Sequence, residues 1–171
     1  MIALAFLQSE QDFMRRMLFV SLLHELGHGF VMCLTGAGIR EIRLHASGIQ
    51  MLTGSRLLST GQAFWIYLSG PLVNLVSACL LWHTQPETAV LHLGMGLFNL
   101  LPYSILDGGA LLQCILECKC DFLKVFPILS ILLSVAAIFA GYYCKIQNPA
   151  YYLMAVYLAV SEFFVDKHLP L

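Results

Sequence analysis

The sequence predicts an all-α polytopic membrane protein, a bundle of about five to six transmembrane helices with a small β-hairpin between the first two core helices. Three observations carry that prediction. Of 171 residues, 59% are hydrophobic and 11% charged, against about 45–50% and about 25% in an ordinary soluble domain. Mean hydropathy is +0.79. The apolar residues also fall into long runs separated by short polar connections.

Taken in order, the runs are Phe13–Thr35, Gln62–Trp82, Ala89–Cys114, Phe122–Tyr143 and Pro149–Val165. A bilayer core about 30 Å thick takes about 20 helical residues, so the first four can each span it and the last falls a little short. Gly36 to Gly61 is the longest polar-containing connection. Within it "IREIRLHASGIQML" alternates in part around a Ser-Gly break, which predicts a hairpin at the membrane surface; an amphipathic loop is the alternative. The remaining connections, "HTQPET", "ECKCD" and "KIQN", are short. The chain therefore reads as a single integral-membrane domain over 1–171, with a core over 13–116 and C-terminal helices over 122–165. Met1–Leu7 is apolar but short and meets the polar "QSEQD" with no preceding positive charge, unlike a cleavable signal peptide.

Net charge is −1, which leaves no basic footprint for nucleic acid. Arg15, Arg16 and Lys145 lie on the side of the first run's N-terminus; Arg40, Arg43, Arg56, Lys119, Lys124 and Lys167 lie on the other. The excess of basic residues places the hairpin and the C-terminus in the cytoplasm. The six cysteines mostly lie in or beside apolar runs and read as small hydrophobes. "CILECKC" lacks a second Cys or His pair at zinc-ribbon spacing.

The chemistry lies in "SLLHELGHGF". His24 and His28 fall one turn apart on one helical face, where both imidazoles can reach one metal ion. A catalytic zinc takes three protein ligands and keeps a position open for water, and the adjacent Glu25 can serve as general base. A chance tetrad with satisfied core histidines is the alternative; it weakens in a membrane span, where ionisable groups are expensive and functional. With the first helix meeting the cytoplasm near Thr35, His28 and His24 lie about 10 and 16 Å below that surface. Asp107, in the third run, reaches about 16 Å from its exit near Cys118, so it is the third candidate ligand. Around it "FNLLPYSILDGG" breaks the apolar run, and irregular backbone at that depth belongs beside protein or a water-filled cavity. A plain turn between two short helices is the other reading. Asn74, in "LSGPLVNL", lies about 18 Å deep. It can bond substrate backbone or a developing oxyanion, or simply bridge two helices. Ser69 and Gly70 beside it, like Gly27 and Gly29, let helices approach closely.

Together "HELGH", "GPLVN" and "NLLPYSILDGG", in that order and with the hairpin between the first two, resemble the site-2 proteases, the zinc intramembrane metalloproteases. The resemblance covers roughly Leu18 to Leu112. It implies one Zn2+ held by His24, His28 and Asp107, with Glu25 activating the hydrolytic water. Asn74 and Asn99 match family asparagines near the active centre. It further implies a site in the bilayer, open to the cytoplasmic side of a bacterial cytoplasmic membrane. The implied substrate is a transmembrane or membrane-tethered regulatory protein, paired along an edge strand of the hairpin, and an inhibitory membrane partner is a further expectation. Within the family the chain is most similar to the sporulation group typified by stage IV sporulation protein FB, whose substrate is a sigma-factor precursor. It departs from other branches in carrying no PDZ or CBS domain. It departs from its own group in having only Met1–Leu7 where a full helix usually precedes the HExxH helix. The competing class is a membrane zinc transporter or a non-catalytic metal-binding scaffold. Both would bind zinc, but only the enzyme needs Glu25. A transporter also needs further intramembrane ligands along a path, and His92 and Glu162, near the ends of their runs, form none.

Overall fold

A computed structural model describes the backbone of residues 2–37, 39–45, 48–53, 58–116 and 122–164, and the side-chain surroundings of 11–37, 58–116 and 127–163. The elements run α1 (Ile2–Leu34), β1 (Ile39–His45), β2 (Gly48–Thr53), α2 (Thr60–Leu81), α3 (Pro86–Asn99), α4 (Asp107–Leu116), α5 (Phe122–Tyr143) and α6 (Pro149–Phe164). Two compact units result, Met1–Asn99 and Leu100–Leu171.

In the first unit, α1 begins at Ile2 rather than at Phe13. The polar "QSEQD" stretch continues the helix because it contains good helix formers and neither Gly nor Pro. The helix stops where Gly36 turns left-handed, at φ 67°. Ala37 N–H then donates to Met32 O and Gly36 N–H to Cys33 O, at 3.1 and 3.3 Å. That closure satisfies the last carbonyls and seats Ala37 in the same small core as Met32 and Ile66. β1 and β2 pair antiparallel, with Ile42 opposite Met51 and His45 opposite Gly48, and with an irregularity between Ile39 and Glu41.

α2 opens with a capping box, in which Ser59 Oγ accepts from Gln62 N–H and the Gln62 side chain accepts from Ser59 N–H. Gln62 Nε2 also donates to Thr35 O at 3.1 Å, which joins the start of α2 to the end of α1. Pro86 opens α3, where its missing N–H costs nothing. Arg16 of α1 and Glu87 of α3 pair at an exposed edge.

The third apolar run is not one helix. It divides into α3 and α4 around residues 100–106. Pro102 supplies no N–H, and the two glycines that follow Asp107 admit the chain where no Cβ fits. A methyl on Gly108 would collide with the Leu100 and Leu101 carbonyls, and one on Gly109 with the Tyr103 carbonyl. In the same unit α5 and α6 form a hairpin, with Tyr151 OH donating to Ala137 O at 2.8 Å and the Tyr151 ring lying over Gly141.

Among the described residues, Gln11–Leu34 and Thr60–Leu81 are long and apolar enough to cross a membrane, while Asp107–Leu116 and Pro127–Tyr143 are shorter apolar helices. The third run, expected as one span, is instead broken into α3 and α4. Leu18, Leu22, Leu26, Phe30 and Leu34 point outward along α1, and Leu34 is 70% exposed. A continuous outward apolar stripe suits hydrocarbon better than water. Cys33, Cys79, Cys114 and Cys144 are free thiols; Cys118 and Cys120 lie outside the described residues.

Candidate metal centre

α1 and α2 press together at two glycines. A Cβ on Gly27 would stand 2.9 Å from Ser69 O and 3.0 Å from a Val73 methyl, and one on Gly70 would strike His28 Nε2 and His24 Nε2. The two imidazoles therefore occupy the space a side chain at position 70 would take. Both histidines are buried.

Hydrogen bonds fix each ring. His28 Nδ1–H donates to Ile66 O at 2.7 Å, a carbonyl that also accepts from Ser69 Oγ–H at 2.6 Å. His28 Nε2 is thereby left with its lone pair and lies 3.2 Å from His24 Nε2. Two nitrogens on tetrahedral zinc, with bonds of about 2.0–2.1 Å, stand about 3.3–3.4 Å apart. The pair fits that ion without rearrangement of either helix. Ligating histidines normally anchor their second nitrogen, and both of these do. His24 Nδ1 meets Asn74 Nδ2 at 3.1 Å, and Asn74 Oδ1 meets His92 Nδ1 at 3.1 Å. Asn74 and His92 are each 0% exposed. Glu25, next to His24 on α1, is half-buried.

Asn99, the last residue of α3, donates its amide to Met95 O of its own helix at 3.0 Å. The first unit therefore brings together His24, His28 and Asn74, with Glu25 beside them, and commits the Asn99 amide to α3.

Asp107 belongs to the second unit, where it is the first residue of α4 and half-buried. A carboxylate suits that end of a helix dipole. The turn before it is tied at three successive residues. Ser130 Oγ–H donates to Pro102 O at 2.7 Å, and Tyr103 OH bonds Ser134 Oγ at 2.9 Å. Ser104 N–H and Oγ–H donate to the two Glu162 carboxylate oxygens at 2.8 and 2.7 Å. All three anchors come from α5 and α6.

His92 and Glu162 each sit toward the end of an apolar run, where sequence alone gives them no role. Both are buried polar groups, and Glu162 is 4% exposed. An ionisable residue in an apolar helix is the signal that also marks Glu25 and Asp107, and it is weaker for His92 and Glu162 because they lie nearer the ends of their runs.

No protein-family model matches the chain. Over 123 residues it is 32% identical to a zinc metalloprotease of Methanocaldococcus jannaschii, a match spanning 63% of this chain and 35% of that relative. The chain thus spans about a third of that relative's length. Among solved structures it superposes on a site-2 protease from the same organism with a TM-score of 0.68 and 22% identity, covering 91% of this chain and 78% of that one. The chain shares that protease's fold. A zinc-dependent relative and a site-2 protease fold coincide with an imidazole pair spaced for zinc.

Proposed function

We propose that the protein is a zinc-dependent endopeptidase that cuts a peptide bond within or near the bilayer. The observation that carries this reading is the His24–His28 pair, its Nε2 atoms 3.2 Å apart in a long apolar helix with Glu25 as neighbour. His24, His28 and Asp107 would hold the ion, since two imidazoles and one carboxylate make a ligand set that zinc accepts in catalytic sites. Zinc, when bound, supplies a Lewis acid that polarises the scissile carbonyl and acidifies water. Glu25 takes the proton of the attacking water and passes it to the departing amine. Asn74 holds the His24 ring by its second nitrogen and so fixes where that ligand points.

The substrate in this reading is a transmembrane or membrane-tethered regulatory protein. The resemblance to the sporulation group narrows it to a sigma-factor precursor, reached from the cytoplasmic side of a bacterial membrane. An inhibitory membrane partner that holds the site closed belongs to the same proposal.

Glu25→Gln tests the mechanism. The variant is expected to keep stoichiometric zinc and to lose cleavage of both a membrane-tethered sigma-factor precursor and a model single-span peptide. Undiminished cleavage would sink the mechanism. A transporter or scaffold would carry zinc unchanged through this substitution and cleave neither substrate in its native form.

A further inference from the structure

We infer that His92 is a positioning residue for the metal centre: through Asn74 it sets the polarity of the hydrogen bond that orients His24, and its own tautomer reverses when a metal binds. The inference rests on the reading above, in which His24 Nε2 is a ligand. His24, Asn74 and His92 come from α1, α2 and α3 and form one chain of hydrogen bonds, each link 3.1 Å long. The His92 ring packs edge-on to Phe19 of α1, with 6.4 Å between ring centres, so packing as well as bonding holds it. Among the described residues its Nε2 is buried with no hydrogen-bond partner. Among described groups, the polar contact that His92 makes is the one to Asn74.

The chain has a direction. His92 Nδ1–H donates to Asn74 Oδ1, Asn74 Nδ2–H donates to His24 Nδ1, and His24 Nε2–H donates to His28 Nε2. A ligand nitrogen must present a lone pair, so a metal on His24 Nε2 moves that ring's hydrogen to Nδ1. The new donor would then face the Asn74 amide NH2. Rotating the amide half a turn exchanges its oxygen and nitrogen, which have nearly the same size, and restores the bond without repacking. Asn74 Nδ2–H now points at His92 Nδ1, which must surrender its hydrogen to its own Nε2. Each ring carries one N–H before and after, so no proton is gained or lost. The hydrogen on His92 Nε2 meets no partner among the described residues, a cost that the metal bonds must outweigh.

An apolar residue at position 92 would leave one end of the buried amide without a partner. The amide would then lose the contact that holds it in line with His24. Removing the direct outer partner of a ligating histidine, here Asn74, commonly weakens metal binding by about 10–100-fold. His92, one bond further out, acts at the lower end of that range.

The test uses the full chain in detergent micelles, with 15N-labelled histidine and zinc affinity measured by chelator competition. Zinc loading is expected to switch the His92 ring signals from the Nδ1–H to the Nε2–H pattern. His92→Leu should weaken zinc about tenfold. His92→Asn, whose amide places a hydrogen-bonding atom near the Nδ1 position, should bind zinc within about twofold of the native chain. A His92 tautomer that is the same with and without zinc would overturn the inference, as would Leu and Asn variants of equal affinity. In both cases the metal centre itself still stands. A native chain that binds no zinc would remove the metal reading and this inference together.

Discussion

The histidine pair of the first unit and the aspartate turn of the second are held by different means. His24 and His28 are set by volume: α1 and α2 meet at Gly27 and Gly70, and the imidazoles fill what those glycines leave. The turn before Asp107 is set by polar ties to three consecutive residues, one each from Ser130 and Ser134 and two from Glu162. A helix contact made by glycines has no room to adjust, so one added methyl is decisive. A turn held by several separate hydrogen bonds loses them one at a time. The first region should therefore fail abruptly when Gly70 is filled, and the second by degrees as its side-chain ties are cut. A methyl on Gly108 or Gly109 would nonetheless be as abrupt as one on Gly70.

Gly70→Ala should show the largest effect. Its methyl would overlap the Nε2 atoms of both histidines, and His28 cannot swing away without giving up its bond to Ile66 O. Zinc affinity is expected to fall on the order of a hundredfold or more. Gly94→Ala is the matched control, since a Cβ there meets nothing within 4 Å. Chelator competition giving equal affinities for the two variants would break the volume argument.

Asp107→Ala comes next and asks whether the second region supplies a ligand at all. Loss of one of three ligands should lower zinc occupancy and peptide cleavage together, by about 10–100-fold in affinity. Full zinc retention, read by metal analysis of the purified variant, would remove Asp107 from the ligand set.

How much of this was legible differs between the regions for a physical reason. The His24–Glu25–His28 arrangement is local, because i and i+4 share a helical face whatever surrounds them. That Asn74 comes level with His24 was also legible, since rise per residue is fixed along each helix. Its partner in α3 was not, because a rise gives depth and leaves rotation about the axis open. His92 thus stayed hidden although it lies on a helix the sequence placed. The break at 100–106 was announced by Pro102, Gly108 and Gly109, whereas Ser104 and Glu162 stand 58 positions apart. No periodicity connects residues so distant. The early start of α1 has no apolar signature, because the polar 8–12 stretch continues the helix on Gln and Glu, which carry a helix well.

Glu162→Ala should be intermediate. It removes both acceptors of Ser104 and leaves that backbone N–H unpaired in a part-buried turn, a cost of about 1–3 kcal/mol. Glu162→Gln keeps an acceptor for the N–H and should cost about half as much. Thermal unfolding in micelles orders the three proteins. A Gln variant as unstable as the Ala variant would mean that the carboxylate charge, rather than its two bonds, holds the turn.

The smallest effect is expected at Tyr103, which is buried, and there the direction of one hydrogen bond can be tested. Ser134 Oγ–H donates to Ser130 O at 3.1 Å, so in the Tyr103–Ser134 contact the tyrosine hydroxyl is the donor. Tyr103→Phe removes that donor and leaves Ser134 with its own bond to Ser130 O intact, so it should cost only about 0.5–1.5 kcal/mol. Ser134→Ala instead strands the tyrosine hydroxyl and should cost more, about 1–3 kcal/mol. Measured unfolding free energies in the reverse order would show that Ser134 donates to Tyr103. The turn would then depend on the ring's hydroxyl as an acceptor, and the graded failure expected of the second region would begin at Tyr103 rather than at Glu162.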